Sequence, residues 1–464
     1  MTPMIELDRL LAAAGVVTGY VALCAFFYLG ERRKRRAAAT EAAALLPATR
    51  DASPVLVAFA SQTGTAQSLA WQTARALHVV GVPSRVLALS DVAADDLSRA
   101  QRVLFLVSTY GEGDPPDNAA LFARRLMVAQ LPLQQLRYGL LAIGDRAYAN
   151  FRGFGMALEQ WLARQGAQPL FERIDVDGGD ESALRDWHQR LGGIAGSRDL
   201  DWVQPTAFGD WQLRARRHLN PGSAGNPLFE VELVPPPGAT PPWEAGDLLQ
   251  VRVAGADVRP RDYSIASLPS DGSVRLLVRQ ALRDDGGIGL ASGWLTRDAV
   301  PGEAVAARVR MNHGFRLGDN AARPLILVGN GSGLAGLLAL IRARVRAGMH
   351  PQGGPGRNWL LYGERNAASD FHYRQLIDAW RRDGVLERAD IVFSRDQPQR
   401  RYVQHRLAAA AGEVRQWIDA GAAIYVCGSL VGMARGVDQA LAAILGRRRL
   451  DDLAQAGRYR RDVY

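Results

Sequence analysis

Three short apolar segments in the first half of the chain each run into a loop of small polar residues, and this pattern constrains the fold most strongly. The first segment covers residues 55–60 and continues into SQTGT. The second covers residues 103–107 and continues into STYGEGDPP, and the third ends at Gly144-Asp145. Apolar runs of this length are typical of strands buried on both faces, and the spacing after the first loop favours a helix. The pattern predicts a parallel sheet whose strand ends carry a ligand site.

The three loops have different chemical characters. The loop SQTGTA, from Ser61 to Ala66, offers hydroxyl groups and backbone N–H groups at the start of a helix, whose dipole favours an anion. It therefore predicts a phosphate site. The two later loops each carry a tyrosine, Tyr110 and Tyr148, which predicts a flat conjugated ring held between aromatic faces. For either tyrosine alone, packing in the core or at its rim is the alternative.

Charge and cysteine content restrict the class of protein. The 464 residues suffice for about two to four domains. The net charge of +9 does not indicate nucleic-acid binding, because the basic residues, nearly all arginine, form no dense stripe. The two cysteines, Cys24 and Cys427, lie far apart, so no structural disulfide is expected. No histidines share a metal-ligand spacing, and no metal site is predicted.

The N-terminal segment predicts a membrane anchor. Residues 10–30 carry no charge and are long enough to span a bilayer as a helix, and five basic residues follow within 31–36. The positive-inside rule then places the part of the chain that follows this span on the cytoplasmic side of an inner (cytoplasmic) membrane. We interpret residues 1–53 as anchor and linker. A cleaved signal peptide is the alternative, although its charge normally precedes the apolar run.

The second half begins with patterns of a β-rich domain. The stretches WEAGDLLQVRV, RPRDYSIAS and DGSVRLLVRQAL each read as strands. Arg261 and Tyr263 are two residues apart on one strand, so they share a face and can meet the phosphate and the ring of one ligand. An isolated R-x-Y-S group arises easily by chance. Residues 289–295 have the sequence GLASGWL, which reads as a helix start suited to a pyrophosphate. This second motif strengthens the prediction of a ligand site at the R-x-Y-S strand.

The last part of the chain has the pattern of a nucleotide-binding unit. The sequence PLILVGNGSGLAGLLALI predicts a strand, a glycine-rich turn and a helix. The stretch 392–404 then gathers arginines suited to phosphate recognition, although a solvated basic loop is the alternative. A strand over 422–427 ends at Cys427, which is either a small buried hydrophobe or a residue facing the ligand crevice.

These motifs, taken in order, resemble those of the diflavin reductases, a family that includes sulfite reductase flavoproteins and NADPH–cytochrome reductases. The resemblance covers about residues 54–464. It implies a flavodoxin-like doubly wound FMN domain at 54–198 and an FAD-binding β-barrel at 205–318. An α/β NADPH-binding domain at 319–464 completes a half similar to ferredoxin–NADP⁺ reductase. The cofactors that it implies are FMN, FAD and NADPH.

The resemblance also implies a role for individual residues. Those expected to bind FMN are Ser61, Gln62, Thr63, Gly64, Thr65, Ala66, Ser108, Thr109, Tyr110, Gly111, Gly113, Gly144, Asp145, Tyr148, Phe151 and Asp177. Those expected to bind FAD are Arg261, Tyr263, Ser264, Gly289, Leu290, Ala291 and Ser292. Those expected to bind NADPH are Gly329, Ser332, Gly333, Ser394, Arg395, Arg400, Tyr402 and Gln404. Ser264, Cys427 and Asp462 match the hydride-transfer group, and the terminal Tyr464 is expected to cover the FAD ring in the place of the nicotinamide.

One departure from the family concerns how the flavin domains dock. Larger members insert a helical connecting domain before the R-x-Y-S strand, whereas here Asp247 and Arg261 are only 14 residues apart. We expect the chain to pass electrons from NADPH through FAD and FMN to a haemoprotein or another redox protein. Two alternatives remain open from the sequence: a ferric or siderophore reductase module beside a membrane partner, and a flavin-binding sensor without catalysis.

Overall fold

The computed structural model describes residues 54–61, 64–110, 113–146, 150–177, 180–196, 207–238, 242–253, 260–283, 286–348 and 356–464. The predicted anchor at 1–53 lies outside these ranges, as do four predicted FMN residues: Gln62, Thr63, Gly111 and Tyr148. Across the described ranges, no helix combines the length and apolarity needed to cross a membrane.

A parallel sheet with helices on both faces forms the first unit. Its strands are β1 (Val55–Ala60), β2 (Ser84–Ala88), β3 (Arg102–Ser108), β4 (Arg137–Gly144), β5 (Gln168–Pro169) and β6 (Ile174–Asp177). Its helices are α1 (Thr65–Val79), α2 (Ala94–Arg99), α3 (Ala120–Arg125), α4 (Gly153–Arg164) and α5 (Glu181–Ala195). The strand order is β2-β1-β3-β4-β5, with β6 also paired to β4, which is the doubly wound order of flavodoxin-like sheets.

The core of this unit explains why its strands read as continuous apolar runs. All six residues of β1 are buried, because helices cover both faces of the sheet. Trp187 packs on one face and Trp161 on the other. The indole N–H of Trp187 donates to the buried Thr73 Oγ1 at 3.1 Å, which satisfies the polar end of this aromatic side chain. The loops at the carboxyl ends of the strands are thereby held at one edge.

An antiparallel β-barrel forms the second unit. Its strands are β7 (Gly209–His218), β8 (Leu228–Val234), β9 (Leu248–Arg252), β10 (Arg261–Ser264), β11 (Val274–Arg279) and β12 (Ala304–Arg310). The order is β10-β9-β12-β7-β8-β11, and a bridge between Ile265 and Leu276 joins the two ends. The short helix α6 (Leu290–Gly293) follows β11. Residues 253–260 alone connect β9 to β10, which are direct neighbours in the sheet.

The third unit is a parallel five-stranded sheet. Its strands are β13 (Leu325–Asn330), β14 (Asn358–Glu364), β15 (Arg388–Phe393), β16 (Ala423–Gly428) and β17 (Tyr459–Val463), in the order β15-β14-β13-β16-β17. Its helices are α7 (Leu334–Arg346), α8 (Ala367–Asp370), α9 (Arg374–Arg382), α10 (Val403–Ala409), α11 (Ala411–Asp419), α12 (Arg435–Leu445) and α13 (Arg447–Gln455).

Strand β17 fixes the position of the C-terminal tail. It pairs with β16 in a register that sets Asp462 opposite Cys427. The Tyr464 N–H donates to the Gly428 carbonyl at 3.1 Å, and the Leu430 N–H donates to the Tyr464 carbonyl at 2.9 Å. The last residue is therefore held by backbone hydrogen bonds at the carboxyl ends of the strands, where ligands bind in such sheets.

Candidate functional site

The described part of the first loop forms a tight turn at the N-terminus of α1. Ser61 Oγ accepts a hydrogen bond from the Ala66 N–H at 3.2 Å, and the Ser61 N–H donates to Asn118 Oδ1 at 2.9 Å. Gly64 has φ +85°, a left-handed conformation that side chains with a Cβ rarely adopt. The turn leads into Thr65, the first residue of a 15-residue helix. These residues fit a phosphate group, because the hydroxyls of Ser61 and Thr65 lie beside the N-terminus of a helix, whose N–H groups favour an anion.

The second loop carries buried polar atoms that lack protein partners. The Tyr110 N–H donates to the Asp114 carbonyl at 2.8 Å, which closes the loop, and Gly113 has φ +112°. Thr109 Oγ1 and the Tyr110 hydroxyl are buried without a hydrogen-bond partner among the described residues. Buried polar groups are normally satisfied, so these two atoms fit a polar ligand such as a flavin. Ser108 ends the strand just before them.

The third loop is braced by packing and charge. Gly144 leaves no room for a side chain, since a Cβ there would lie 2.7 Å from the Arg152 nitrogen. Two guanidinium groups lie over the Phe151 ring, that of Arg146 at 5.2 Å and that of Arg152 at 5.1 Å from its centre. Asp177 Oδ1 accepts a hydrogen bond from the backbone N–H of Arg146 at 3.1 Å. Phe151 and Asp177 thus hold the loop that carries the predicted flavin residues.

A cavity of about 1230 Å³ lies where the barrel meets the third sheet. The predicted FAD and NADPH residues that line it are Arg261, Tyr263, Ser264, Gly289, Leu290, Ala291, Ser292, Ser332, Ser394, Arg395, Tyr402, Gln404 and Tyr464. Two sets of residues that are distant in sequence therefore share one cleft. Its volume exceeds that of a typical pocket for a drug-sized ligand, so it fits more than one nucleotide cofactor.

Three predicted NADPH residues do not line this cavity. Arg400 is absent from its lining, whereas the neighbouring Arg401 is present. Gly329 and Gly333 lie against the end of β16, where an added Cβ would sit 2.8 Å and 2.1 Å from the Cys427 carbonyl oxygen. Their glycine identity is explained by this close approach. The sequence reasoning missed Arg401; its only signal was a second arginine beside Arg400.

Another lining residue that the sequence reasoning missed is Arg279, at the end of β11. It donates to Glu364 Oε1 at 2.7 Å. Glu364 also groups with Asp370 and His372, three buried residues with ligand atoms close enough to hold a metal ion. However, Arg279 already neutralises Glu364, and the Asn220 amide donates to Asp370 at 3.2 Å. We interpret the group as a hydrogen-bonded contact between barrel and third sheet, and the absence of a metal site stays a prediction.

The three predicted hydride-transfer residues come together from three strands. Ser264 Oγ, on β10, donates to Asp462 Oδ2, on β17, at 2.7 Å. Cys427 Sγ, on β16, lies 3.7 Å from the same carboxylate oxygen and 3.9 Å from Ser264 Oγ. The carboxylate thus accepts from a hydroxyl and a thiol at once. Neither the barrel nor the third sheet alone contains this group.

Burial sets the protonation of this group. Asp462 is 4% exposed, and burial raises the pKa of its carboxyl from 3.8 to about 6, although the bonds from Ser264 and Cys427 oppose the shift. Burial, together with the Asp462 charge, raises the pKa of the Cys427 thiol well above its ordinary value. At neutral pH the thiol therefore stays protonated as a donor, while Asp462 titrates close to the physiological range.

Tyr464 stands at the mouth of this group. Its hydroxyl lies 3.1 Å from Ser332 Oγ, and the residue is 48% exposed within the cleft lining. A terminal aromatic ring with an exposed face fits a flat conjugated ligand, because such rings stack.

The two predicted flavin sites adjoin each other. Asp145, in the third FMN loop, lies 3.8 Å from Arg261, at the predicted FAD site. Arg461 forms a two-bond ion pair with Asp117, and its guanidinium lies 4.8 Å from the centre of the Tyr110 ring. The first unit therefore docks directly on the other two units, with Asp145 facing Arg261 of the barrel and Asp117 facing Arg461 of the third sheet. This contact covers one face of the Tyr110 ring.

Comparison with known proteins agrees with this geometry. A flavodoxin family model matches residues 57–187, and an oxidoreductase NAD-binding domain model matches residues 327–439. The sulfite reductase [NADPH] flavoprotein alpha-component of Thiocapsa roseopersicina is 31% identical, over 84% of this chain and 83% of the relative. The protein of the same name from Vibrio cholerae serotype O1 is 28% identical, over 88% and 87%. That from Neisseria meningitidis serogroup C is 27% identical, over 91% and 92%.

Proposed function

This chain belongs to the diflavin reductase family, together with the sulfite reductase flavoprotein alpha-components, and from that premise we propose how its residues serve electron transfer. It is an NADPH-dependent oxidoreductase that uses FMN and FAD and passes electrons to a redox partner. We propose that the partner is a haemoprotein or another one-electron redox protein that meets the FMN side. The residues proposed for each cofactor are those predicted from the sequence, with Arg401, which lines the cavity, added at the NADPH site.

The observation that carries the proposal is the meeting of Ser264, Cys427 and Asp462 beneath Tyr464. When bound, FAD and FMN convert the two-electron hydride of NADPH into single electrons. Asp462, when ionised, stabilises the positive charge that develops on a nicotinamide as its hydride leaves. Ser264 and Cys427 donate to the carboxylate and hold it in place. The Tyr464 ring, which lines the same cleft, would shield a bound flavin from water and would have to move to admit a nicotinamide.

The choice of partner is supported by charge on the FMN side. Asp117 and Asp145 both bind arginines of the second half. A basic surface on an acceptor protein would meet the same aspartates, and complementary charge of this kind guides encounter. The relatives are named as the flavoprotein component of an NADPH-dependent sulfite reductase.

Anaerobic rapid mixing of the full chain with NADPH tests the proposal. We expect two bound flavins per chain, bleaching of both, and reduction of ferricyanide and a cytochrome. FMN-depleted protein should keep ferricyanide reduction and lose cytochrome reduction. Asp462→Asn serves as the matched control, because it should slow bleaching by NADPH and leave bleaching by dithionite unchanged. A chain that binds flavin but is not bleached by NADPH would instead be a sensor.

We further propose that residues 10–30 anchor the protein in the cytoplasmic membrane, with the catalytic domains in the cytoplasm. The uncharged span and the basic residues at 31–36 support this orientation. A chain starting at residue 54 should move from the membrane fraction to the soluble fraction and keep its NADPH oxidation. Full-length protein that is washed from membranes by salt or carbonate would contradict the anchor.

A further inference from the structure

A cation from the barrel reaches the phosphate loop of the first unit. Arg310, the last residue of β12, donates from Nη2 to Thr65 Oγ1 at 2.6 Å. Thr65 belongs to the loop proposed to bind the FMN phosphate. The loop itself, SQTGTA, contains no basic side chain. A phosphate monoester carries about −1.5 to −2 charges at neutral pH, so a phosphate bound there lacks a cation from its own loop.

The Arg310 head group is held in place from its own side. It forms an ion pair with Asp262 of β10, and Asp262 also accepts from Gln250 Nε2 at 3.1 Å. The Arg310 side chain is 22% exposed, and the neighbouring strands fix its direction. A guanidinium presents several donors in one plane, so one edge can pair with Asp262 while another faces an anion. Little ordering entropy then remains to be lost when a phosphate arrives.

The barrel backbone also lies against the loop. A Cβ built on Gly64 would be 3.5 Å from the Met311 carbonyl oxygen and 3.7 Å from the His313 nitrogen. Gly64 itself needs its left-handed conformation for the turn. The segment 310–313 therefore packs directly on the phosphate loop.

We propose that Arg310 is a ligand of the FMN phosphate, supplied by the FAD half of the chain. This inference rests on the proposed function, since it requires FMN at the first loop. It has a consequence for docking, because binding couplings are reciprocal. If the docked barrel tightens FMN binding, bound FMN must tighten docking by the same factor. Docking would then depend on a phosphate that both halves contact. In this chain only residues 253–260 join β9 to β10, where larger members of the family insert a connecting domain.

The test compares FMN with riboflavin, which lacks the phosphate. Dissociation constants are measured by quenching of flavin fluorescence on FMN-depleted full-length protein, for the wild type and Arg310→Gln. A hydrogen bond to a charged group corresponds to a loss of about 10- to 100-fold in FMN affinity. Riboflavin affinity should change less than about twofold. The ratio of the two constants within each variant reports the phosphate contact, and FAD content checks that the barrel is intact.

Arg124→Gln is the matched control. Arg124 of α3 pairs with Asp451 of α13 at 2.6 Å, across the same two halves, whereas Arg310 contacts Thr65 of the phosphate loop itself. Arg124→Gln should loosen docking. Its ratio of the FMN to the riboflavin dissociation constant should stay closer to the wild-type ratio than that of Arg310→Gln. An unchanged ratio in Arg310→Gln would overturn the inference, as would an equal fall in both variants. A wild-type chain that binds no FMN would refute the proposed function instead, so the two failures are distinguishable.

Discussion

Lowering the pH should slow reduction of the flavin by NADPH through protonation of Asp462. Its carboxyl is buried, and its pKa is raised to about 6. With that pKa, about nine-tenths of the carboxyl is ionised at pH 7 and about one-tenth at pH 5, so the rate should fall about tenfold between them. Bleaching of the flavin is followed by anaerobic stopped-flow at saturating NADPH across pH 5–8. Asp462→Asn should be slow and without an inflection near pH 6.

Ser264→Ala sharpens this test. The Ser264 hydroxyl donates to Asp462 Oδ2 at 2.7 Å and lowers the pKa of the carboxyl against the effect of burial. Its removal should move the inflection above pH 6, whereas a serine that only fills space would leave it unmoved. The reasoning is refuted if the wild-type rate is flat from pH 5 to 8. It is also refuted if Asp462→Asn keeps the inflection.

The same residue should affect stability with a predictable sign. Because the folded pKa is raised, the folded state holds the proton more tightly, so ionisation of Asp462 opposes folding. This penalty is absent below pH 4 and complete above pH 6. A shift of about two pKa units corresponds to about 3 kcal/mol. As an upper limit, Asp462→Asn should stabilise β16 and β17 by that amount at pH 8 and by little at pH 4, measured by amide hydrogen exchange.

Three further predictions concern the tail, the docking contact and the glycine turn. Tyr464→Ala removes a stack worth about 0.5–1.5 kcal/mol that a nicotinamide must displace, so kcat/KM for NADH should rise about two- to tenfold. Asp117→Asn removes the partner of the largely buried Arg461, so the loss should exceed the about 1 kcal/mol of an exposed pair. The docked fraction should fall and interflavin transfer should slow at least about fivefold, without slowing FAD reduction. Gly333→Ala should destabilise the fold by about 1–3 kcal/mol, because its Cβ would meet the Cys427 carbonyl at 2.1 Å. Gly193→Ala, in open space on α5, should instead raise the melting temperature.

Local patterns predicted those parts of the fold that local physics decides. The apolar runs 55–60 and 103–107 became β1 and β3, because strands covered on both faces need apolar residues at nearly every position. The strand predicted at 422–427 is β16, shifted by one residue. The small residues after these runs predicted loops at the carboxyl ends of the strands, because small residues permit close backbone turns.

Contacts between distant residues set the limit of that reasoning. Ser264 and Asp462 are separated by 198 positions, and their meeting was implied by resemblance rather than by any spacing. The pairing of Arg310 with Thr65 spans 245 positions and has no local signature, because an arginine at a strand end is ordinary. Likewise, Arg401 rather than its neighbour lines the cleft, since the path of a loop decides which of two adjacent side chains points inward.

The docked arrangement must open for electrons to leave. Tyr110, Asp117 and Asp145 all face arginines of the second half, so an acceptor that approaches these FMN loops competes with that half for one surface. The Asp145–Arg261 pair is partly exposed, and exposed ion pairs contribute about 0–1 kcal/mol, which permits exchange. The Asp117–Arg461 pair is only 20% and 14% exposed, so it costs more to break. The FMN side therefore needs contacts strong enough to collect electrons from FAD and weak enough to be replaced by the acceptor. Polar pairs between aspartates and arginines meet both demands, and they let a basic partner reuse the aspartates that serve docking.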